Sequence, residues 1–198
     1  MAVNLQKGQK ISLEKEAGST LTQVKMGLGW DVAKSSGGGF LGGLFGGGSN
    51  DSIDLDASVI LFNEQKQPVD VVYFGQLQSK DGSITHSGDN RTGAGDGDDE
   101  VITVNLSSVP AGVQSLVFTV NSFTGQSFEK VANAYCRILN GTNNSEIARY
   151  YLSAQGSHTA MVMAKVYRHN GEWKMHAIGE TMNGRTFNEL IPAILPHI

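Results

Sequence analysis

Apolar and polar side chains alternate along residues 52–62, the pattern of a β-strand that buries one face. Apolar side chains occupy every second position from 53 to 61, and Asp54, Asp56 and Ser58 fall between them. We expect the apolar side of this strand to face a core. The two aspartates should then project together from the opposite side, roughly 6–7 Å apart.

The same period of two recurs in short segments bounded by turn residues such as Asp81-Gly82 and Asn170-Gly171. The further strand candidates are 69–74, 83–86, 100–106, 115–121, 134–139 and a hairpin of 159–168 with 172–179. Helical signals are short: a turn near 127–131, and the segment 186–195, where Thr186 is a candidate N-cap and Pro196 prevents continuation.

Many short strands without a strand–helix alternation predict a mainly β fold. We expect an antiparallel β-sandwich of two sheets with a few short helices, one of them near the C-terminus. The length of 198 residues fits one domain, 1–198, and 39% hydrophobic residues are enough to build its core.

Glycine is over-represented, with 25 residues against about 14 expected at average usage. The excess lies in two segments, 35–50 and 88–100. The first is predicted to be a flexible surface loop, because each ordered glycine loses much backbone freedom. Its Phe40-Leu41 and Leu44-Phe45 pairs either tuck back onto the domain, the reading that we favour, or dock onto a partner or a membrane.

The second glycine-rich segment is acidic. Residues 88–100 contain five carboxylates and one arginine, so the segment carries a net charge of −4, which equals the net charge of the whole chain. Carboxylates this close repel one another, and the glycines let backbone carbonyls turn inward. The candidate ligands are all oxygens, which suits a hard cation, and flexible geometry with about 6–8 oxygens favours Ca²⁺ over Mg²⁺.

The acidic segment does not fit an EF-hand. Asp89 and Glu100 match positions 1 and 12 of the loop, but Arg91, Gly93 and Ala94 stand at positions 3, 5 and 6. We therefore expect a calcium-binding loop that is not an EF-hand. Asp54 and Asp56 are expected to complete it, and seven carboxylates would accommodate two ions.

Composition and charge exclude several functional classes. A net charge of −4 leaves no basic excess for a dedicated nucleic-acid binder. The single cysteine, Cys136, excludes an intrachain disulfide and a multi-cysteine zinc site, and we expect it to lie in the core. No basic-then-apolar leader and no long apolar run are present, so we expect a cytoplasmic protein.

No catalytic motif was found. The serine beside His86 has no nucleophile-elbow context, and the chain lacks a phosphate-binding loop of the Gly-x-x-x-x-Gly-Lys-Ser/Thr type. A His/Asp hydrolase centre built from His86 and the acidic segment is disfavoured. We therefore expect a protein that is not an enzyme and has no catalytic residues.

Several motifs resemble the TerD family of bacterial tellurium-resistance and stress proteins. The most specific are Gly-Asp-Asn-Arg-Thr-Gly at 88–93 and Gly-Asp-Asp-Glu at 97–100. The matching elements as a whole are 27–31, 54–58, 81–93, 97–100, 148–150 and 167–174. This chain departs from the family in the long glycine-rich segment after Asp31, and in Tyr73–Leu77, which lacks the asparagine common at that strand end.

The resemblance implies a two-sheet β-sandwich that binds calcium, commonly two ions, without catalysis. Carried over to this sequence, the metal-binding positions are Asp31, Asp54, Asp56, Asp89, Asn90, Asp98, Asp99 and Glu100, with Asp96 and the carbonyls of Arg91, Gly95 and Gly97 as helpers. The assignment of each oxygen to an ion stays open.

Two functions follow as expectations. The favoured one is a calcium-dependent scaffold that docks other tellurium-resistance or stress proteins, or a membrane-associated complex, so that the protein could sit peripherally at the inner membrane through its partners. The alternative is a module in which calcium assists the binding of a small anionic ligand such as a nucleotide or phosphate.

Overall fold

Two β-sheets form the molecule in the computed structural model, which describes residues 2–32, 54–88, 97–152 and 154–198. Within these residues each sheet has six strands, in the orders β1-β10-β9-β3-β7-β6 and β2-β12-β11-β8-β4-β5. We call them sheet A and sheet B. The strands are β1 Val3–Leu5, β2 Lys10–Ser12, β3 Gln23–Val32, β4 Asp56–Asn63, β5 Pro68–Val72, β6 Ile84–His86, β7 Glu100–Asn105, β8 Val113–Asn121, β9 Val131–Asn140, β10 Glu146–Tyr151, β11 Ala160–His169 and β12 Glu172–Met182.

The helices are short. They are α1 Leu13–Ala17, α2 Phe187–Ile194, and the 3-10 turns Phe128–Lys130 and Leu195–His197. Described strand pairs are antiparallel except β1 with β10, which is parallel. The predicted mainly β sandwich with a C-terminal helix is thus confirmed, and every predicted strand is present, with ends displaced by a few residues.

The core lies between the two sheets and follows the predicted alternation. Ala57, Val59 and Leu61 of β4 face it, as do Met26 and Leu28 of β3. These side chains are almost completely buried. Burial of each large aliphatic side chain contributes about 1.5–3 kcal/mol, so the period of two along β4 fixes which face turns inward.

The other face of β4 differs from the prediction. Asp56 and Ser58 were expected to project from a solvated side, but only 4% and 2% of their surfaces are exposed. Farther along the same face, Ile60 and Phe62 belong to a second apolar cluster that includes Leu190 and Ile194 of α2. The helix covers this part of sheet B, so β4 is buried on both faces.

Four strands were not predicted: β1, β2, β3 and β10. Two of them have only three residues, too few for a periodic signal. In β3, Gly27 and Gly29 interrupt the strand signal, and both are required by their neighbours. A Cβ on Gly27 would lie 2.2 Å from the Asp98 carboxylate, and one on Gly29 would lie 2.5 Å from the Tyr135 ring.

The helical predictions are confirmed in position. The turn near 127–131 is a 3-10 turn, and the segment 186–195 contains α2 with Thr186 at its N-cap position. Thr186 makes no capping hydrogen bond to the backbone; its hydroxyl instead donates to Glu189 Oε1 at 3.2 Å. The glycine-rich prediction at 35–50 lies outside the described residues. No helix in the described ranges is both long and apolar enough to cross a membrane.

His176 makes stability depend on pH. Burial, with added repulsion from Lys10, Lys165 and His197, lowers the pKa of His176 from 6.5 to about 4. The unfolded chain therefore takes up a proton below about pH 6.5, whereas the folded chain does so only near pH 4. Stability from this residue is present above pH 6.5 and is lost as the pH falls toward 4.

We expect the melting temperature of the chelator-treated protein to fall between pH 7 and pH 5, and to fall less in His176→Gln. Thermal unfolding followed by circular dichroism at both pH values measures this. Identical pH slopes for the two proteins would contradict it.

Candidate metal centre

The predicted metal-binding positions that the structure describes lie at one end of the sandwich. Glu100 begins β7 and pairs with Leu28 of β3, and the Asp99 N–H donates to the Leu28 carbonyl at 2.8 Å. Asp31 lies near the end of β3 and Asp56 begins β4. The structure therefore brings Asp31, Asp98, Asp99 and Glu100 together beside the start of β4. Asp89, Asn90, Arg91, Gly95 and Asp96 lie outside the described residues.

Asp99 is a carboxylate of this cluster on which the neighbouring negative charges act. Its Oδ2 accepts a hydrogen bond from the Trp30 N–H at 2.9 Å. Burial raises the pKa of Asp99, and the charges of Asp31, Asp98 and Glu100 raise it further against the Trp30 hydrogen bond. A raised carboxyl pKa means that the folded state disfavours the negative charge at this point. A cation would reverse that penalty.

Glu100 is buried, with 1% of its surface exposed, and links the two sheets. Its Oε2 accepts a hydrogen bond from the Ala57 N–H at 2.6 Å. His86 Nε2 lies 3.4 Å from the same oxygen and 3.2 Å from the Ala57 carbonyl. Because Ala57 directly follows Asp56, Glu100 holds the start of β4 against the acidic segment.

His86 also holds the first residue of that segment. The Gly88 N–H donates to His86 Nδ1 at 3.0 Å, which assigns the ring proton to Nε2. Nε2 then donates toward Ala57 and Glu100. These contacts give His86 a positioning role at the base of the acidic segment.

Asp98 is held by the outer face of sheet A. Arg137 donates to both of its oxygens, from Nε at 2.8 Å and from Nη2 at 3.1 Å. Tyr135 Oη contacts Asp98 Oδ1 at 3.1 Å and the Gly97 carbonyl at 2.7 Å. Asp98 and Gly97, both predicted to bind metal, therefore already have protein partners, and any ion would share these oxygens with them.

Asp31 is exposed and contacts β9. Its Oδ2 accepts a hydrogen bond at 2.8 Å from Nδ2 of Asn133, a residue with a positive φ of 50°. Asparagine tolerates this conformation better than most residues. The Asp31 carboxylate, near the end of β3, is thus tied to the strand that carries Tyr135 and Arg137.

The chemistry of these donors fits a hard cation. The described positions offer carboxylates, a carbonyl and no sulfur, and the charges of three of these carboxylates raise the pKa of Asp99. In the ranges 2–32, 54–88, 97–152 and 154–198, no three Asp, Glu, His or Cys side chains converge closely enough to form a complete site.

The sequence pattern does not identify the partners of the acidic segment. Arg137 and Tyr135 occupy outward positions of β9, where the inward positions are Ala134, Cys136 and Ile138. The alternation along the predicted strand at 134–139 shows that they point outward, but not which residue they meet. That contact depends on the register between β3 and β9, which pairs Gly27 with Arg137 and Gly29 with Tyr135.

Two surfaces adjoin the candidate centre. On sheet B, a cavity of about 360 Å³ is lined by Asp56 and Asn121, by Arg185, and by aromatic side chains that include Phe74 and Phe123. On sheet A, a shallow depression is lined by Trp30, Asp31, Gly97, Asn133, Tyr135, Arg149 and Tyr151. Both surfaces share a predicted metal-binding position with the acidic end.

Comparisons with known proteins agree with the fold and the motifs. The family model described as TerD domain matches residues 1–193. The chain is 52% identical over 188 residues to Tellurium resistance protein TerZ of Serratia marcescens, covering 95% of this chain and 94% of the relative. It is 41% identical to Stress response protein SCP2 of Bacillus subtilis (strain 168), covering 96% and 98%.

A solved structure shows the same fold. It is that of a homologue of telluride resistance protein (TerD) from Streptomyces coelicolor A3(2), with a TM-score of 0.66 at 21% identity, covering 87% of this chain and 96% of that one. Together with the motifs at 27–31, 54–58 and 97–100, these matches show that the chain belongs to the TerD domain family of tellurium-resistance and stress-response proteins.

Proposed function

We propose that this protein is a calcium-binding stress-response protein that acts as a calcium-dependent interaction module for other tellurium-resistance or stress proteins. One observation carries the proposal: the pairing of β3 with β7 brings Asp98, Asp99 and Glu100 to the end of the sandwich that holds Asp31, where the other three charges raise the Asp99 pKa. An all-oxygen set with this repulsion favours a hard divalent cation, and the number of oxygens that its glycine-rich sequence offers favours calcium.

The residues that would hold calcium are Asp31, Asp54, Asp56, Asp99 and Glu100, with Asp98, the Gly97 carbonyl and the acidic positions between 89 and 96. When bound, the ion would supply positive charge that offsets carboxylate repulsion and would cross-link segments distant in sequence. The contacts Asp31–Asn133, Gly97–Tyr135 and Asp98–Arg137 connect this end to β9. Calcium bound at Asp31, Gly97 or Asp98 would therefore be linked through these contacts to the adjoining surface of sheet A.

That surface has the composition of a protein-binding site. Arg149 lies over the Tyr135 ring at 4.4 Å and near the Tyr151 ring at 5.8 Å. Tyr151 is 60% exposed, which is unusual for a large aromatic side chain. Tyrosine and arginine are enriched among residues that dominate binding energy in interfaces. We propose that partners bind here, beside Asp31.

Calcium should stabilise the folded chain. A ligand that binds only the native state adds about 2.7 kcal/mol at 100 times its dissociation constant, which is roughly 5–11 °C for a domain of this size. We expect this rise when calcium is titrated into chelator-treated protein, and a smaller one with magnesium. Differential scanning calorimetry measures both. No rise with calcium would refute the metal site.

Two variants separate metal binding from structure. Asp99→Asn keeps an acceptor for the Trp30 N–H but removes a repelled charge, so it should melt no lower than the parent in chelator and should lose most of the calcium response. Asp98→Asn should melt lower with or without calcium, because Arg137 loses its bidentate partner. Glu64→Gln, an exposed acid in the β4–β5 turn, serves as the charge-matched control.

Partner capture should require both calcium and the surface of sheet A. The immobilised full chain should retain tellurium-resistance or stress proteins of the host cell in calcium and release them in chelator, as identified by mass spectrometry. Tyr151→Ser should lose this capture while keeping the calcium-induced rise in melting temperature. Leu77→Ser, at another exposed apolar residue, is the control. Unchanged capture in chelator would contradict the proposed calcium dependence of partner binding.

A second candidate function is calcium-assisted binding of a small anionic ligand. The cavity on sheet B favours it, because its lining combines the Arg185 guanidinium with four aromatic rings and with Asp56. The rings form a chain of contacts, with centroid separations of 5.3 Å for Tyr73–Phe74, 5.5 Å for Phe74–Phe123 and 5.0 Å for Tyr73–Phe187. A flat base would stack there, and calcium at Asp56 would remove its repulsion for phosphate.

Adenosine monophosphate is the probe for this function. Isothermal titration calorimetry should detect binding in calcium and none in chelator, with weaker binding by Arg185→Gln because the cavity loses its cation. Lys15→Gln, on α1, is the control for charge alone. Equal binding with and without calcium, or none in either condition, would exclude the calcium-assisted module.

A further inference from the structure

The outer face of sheet B carries a row of basic side chains beside α2. Lys10 of β2 pairs directly with His176 of β12, and His176 pairs with Lys165 of β11. Directly opposed residues on neighbouring strands point to the same side, with Cβ atoms about 4.5–5.5 Å apart. Three basic residues are therefore aligned across three adjacent strands.

Three more basic residues extend this row. Lys174 lies two residues from His176, between Ser12 and Tyr167, so it faces the same side. Lys66, in the β4–β5 turn, is close enough to Lys165 to affect it electrostatically. His197 accepts a hydrogen bond from Lys165 Nζ through its carbonyl. We call the set Lys10, Lys66, Lys165, Lys174, His176 and His197 the basic face.

The lysines of the basic face are not held by carboxylates in the part of the chain that the structure describes. Among the described residues, none of its four lysines forms an ion pair, whereas Lys7 and Lys80 each pair with an acid. Glu172 also belongs to this region, but its Oε2 accepts a hydrogen bond from Ser12 Oγ. Burial and the charges of Lys10 and Lys66 lower the pKa of Lys165, which shows the like-charge repulsion within the set.

Repulsion of this kind opposes folding, since like charges directly opposite on neighbouring strands are destabilising. Core packing does not explain why lysines occupy these positions, because Lys10 and Lys66 are exposed. An extended anionic surface would neutralise all of the basic face at once. Leu195, which is 39% exposed in the turn beside His197, adds an apolar group at its edge.

We propose that the basic face binds the anionic headgroups of a phospholipid membrane. Charge complementarity supports this occupant: the face presents several lysines from a flat sheet, on a chain whose net charge is −4. The acidic segment lies at the other end of β4, since Asp56 is at the start of that strand and Lys66 follows its end. Binding would thus leave the candidate metal centre and the sheet A surface away from the lipid.

Vesicle sedimentation with the full chain tests the proposal. The probes are vesicles of phosphatidylcholine alone and vesicles containing 30% phosphatidylglycerol, at low and high salt, each in calcium and in chelator. We expect binding only to the anionic vesicles, weakened by salt. Lys10→Gln with Lys66→Gln, both at exposed positions, should weaken it about thirty-fold, from the usual contribution of each lysine near an anionic surface.

The control removes the same charge elsewhere. Lys25→Gln with Lys80→Gln changes a lysine on sheet A and an exposed lysine after β5, and should bind like the parent chain. Equal loss in both double variants, binding to phosphatidylcholine alone, or no binding at low salt would overturn the proposal. Loss of binding in chelator would also overturn it, because it would assign the contact to calcium bridging at the acidic segment and would leave the calcium proposal intact.

Discussion

The candidate centre depends on one buried carboxylate. Glu100 lies at the start of a strand of sheet A and accepts a hydrogen bond from Ala57 in a strand of sheet B, with His86 3.4 Å away. Leaving such a buried carboxylate without a hydrogen-bond partner costs roughly 1–3 kcal/mol or more, because its lost hydration is then not replaced. Glu100 and His86 thus hold together the two ends of the acidic segment, at Gly88 and Glu100, and the start of β4 at Ala57.

Close packing above β3 is the second constraint. Asp98 and Tyr135 occupy the space that Cβ atoms of Gly27 and Gly29 would fill. Asp98 can therefore reach Arg137 across the sheet only because the intervening strand carries glycine. The same glycines weaken the strand signal in the sequence. A local departure from strand propensity here serves a contact between residues 39 positions apart.

The sequence predicts the fold well where alternation is regular, as in β4, β8 and the β11–β12 hairpin. It also predicts which residue types gather at the acidic end, because Asp54, Asp56 and residues 97–100 carry the family's motif. It does not predict that Asp56 is buried, since this requires the covering of sheet B to be known. Nor does it predict that Arg137 donates hydrogen bonds to Asp98, since the strand register decides that contact. Local patterns assign faces, whereas tertiary packing decides which faces meet.

Charge is distributed in opposite senses along the molecule. The carboxylates lie where β3, β4 and β7 begin or end. The lysines of the basic face, which form no ion pair among the described residues, lie on the outer face of β2, β12 and β11 and in the β4–β5 turn. Each set is repulsive by itself, as the raised pKa of Asp99 and the lowered pKa of Lys165 show. Hydrophobic burial between the sheets must outweigh both costs. The two proposed partners have opposite charges, so a cation would offset the repulsion at one end and an anionic surface would offset it at the other.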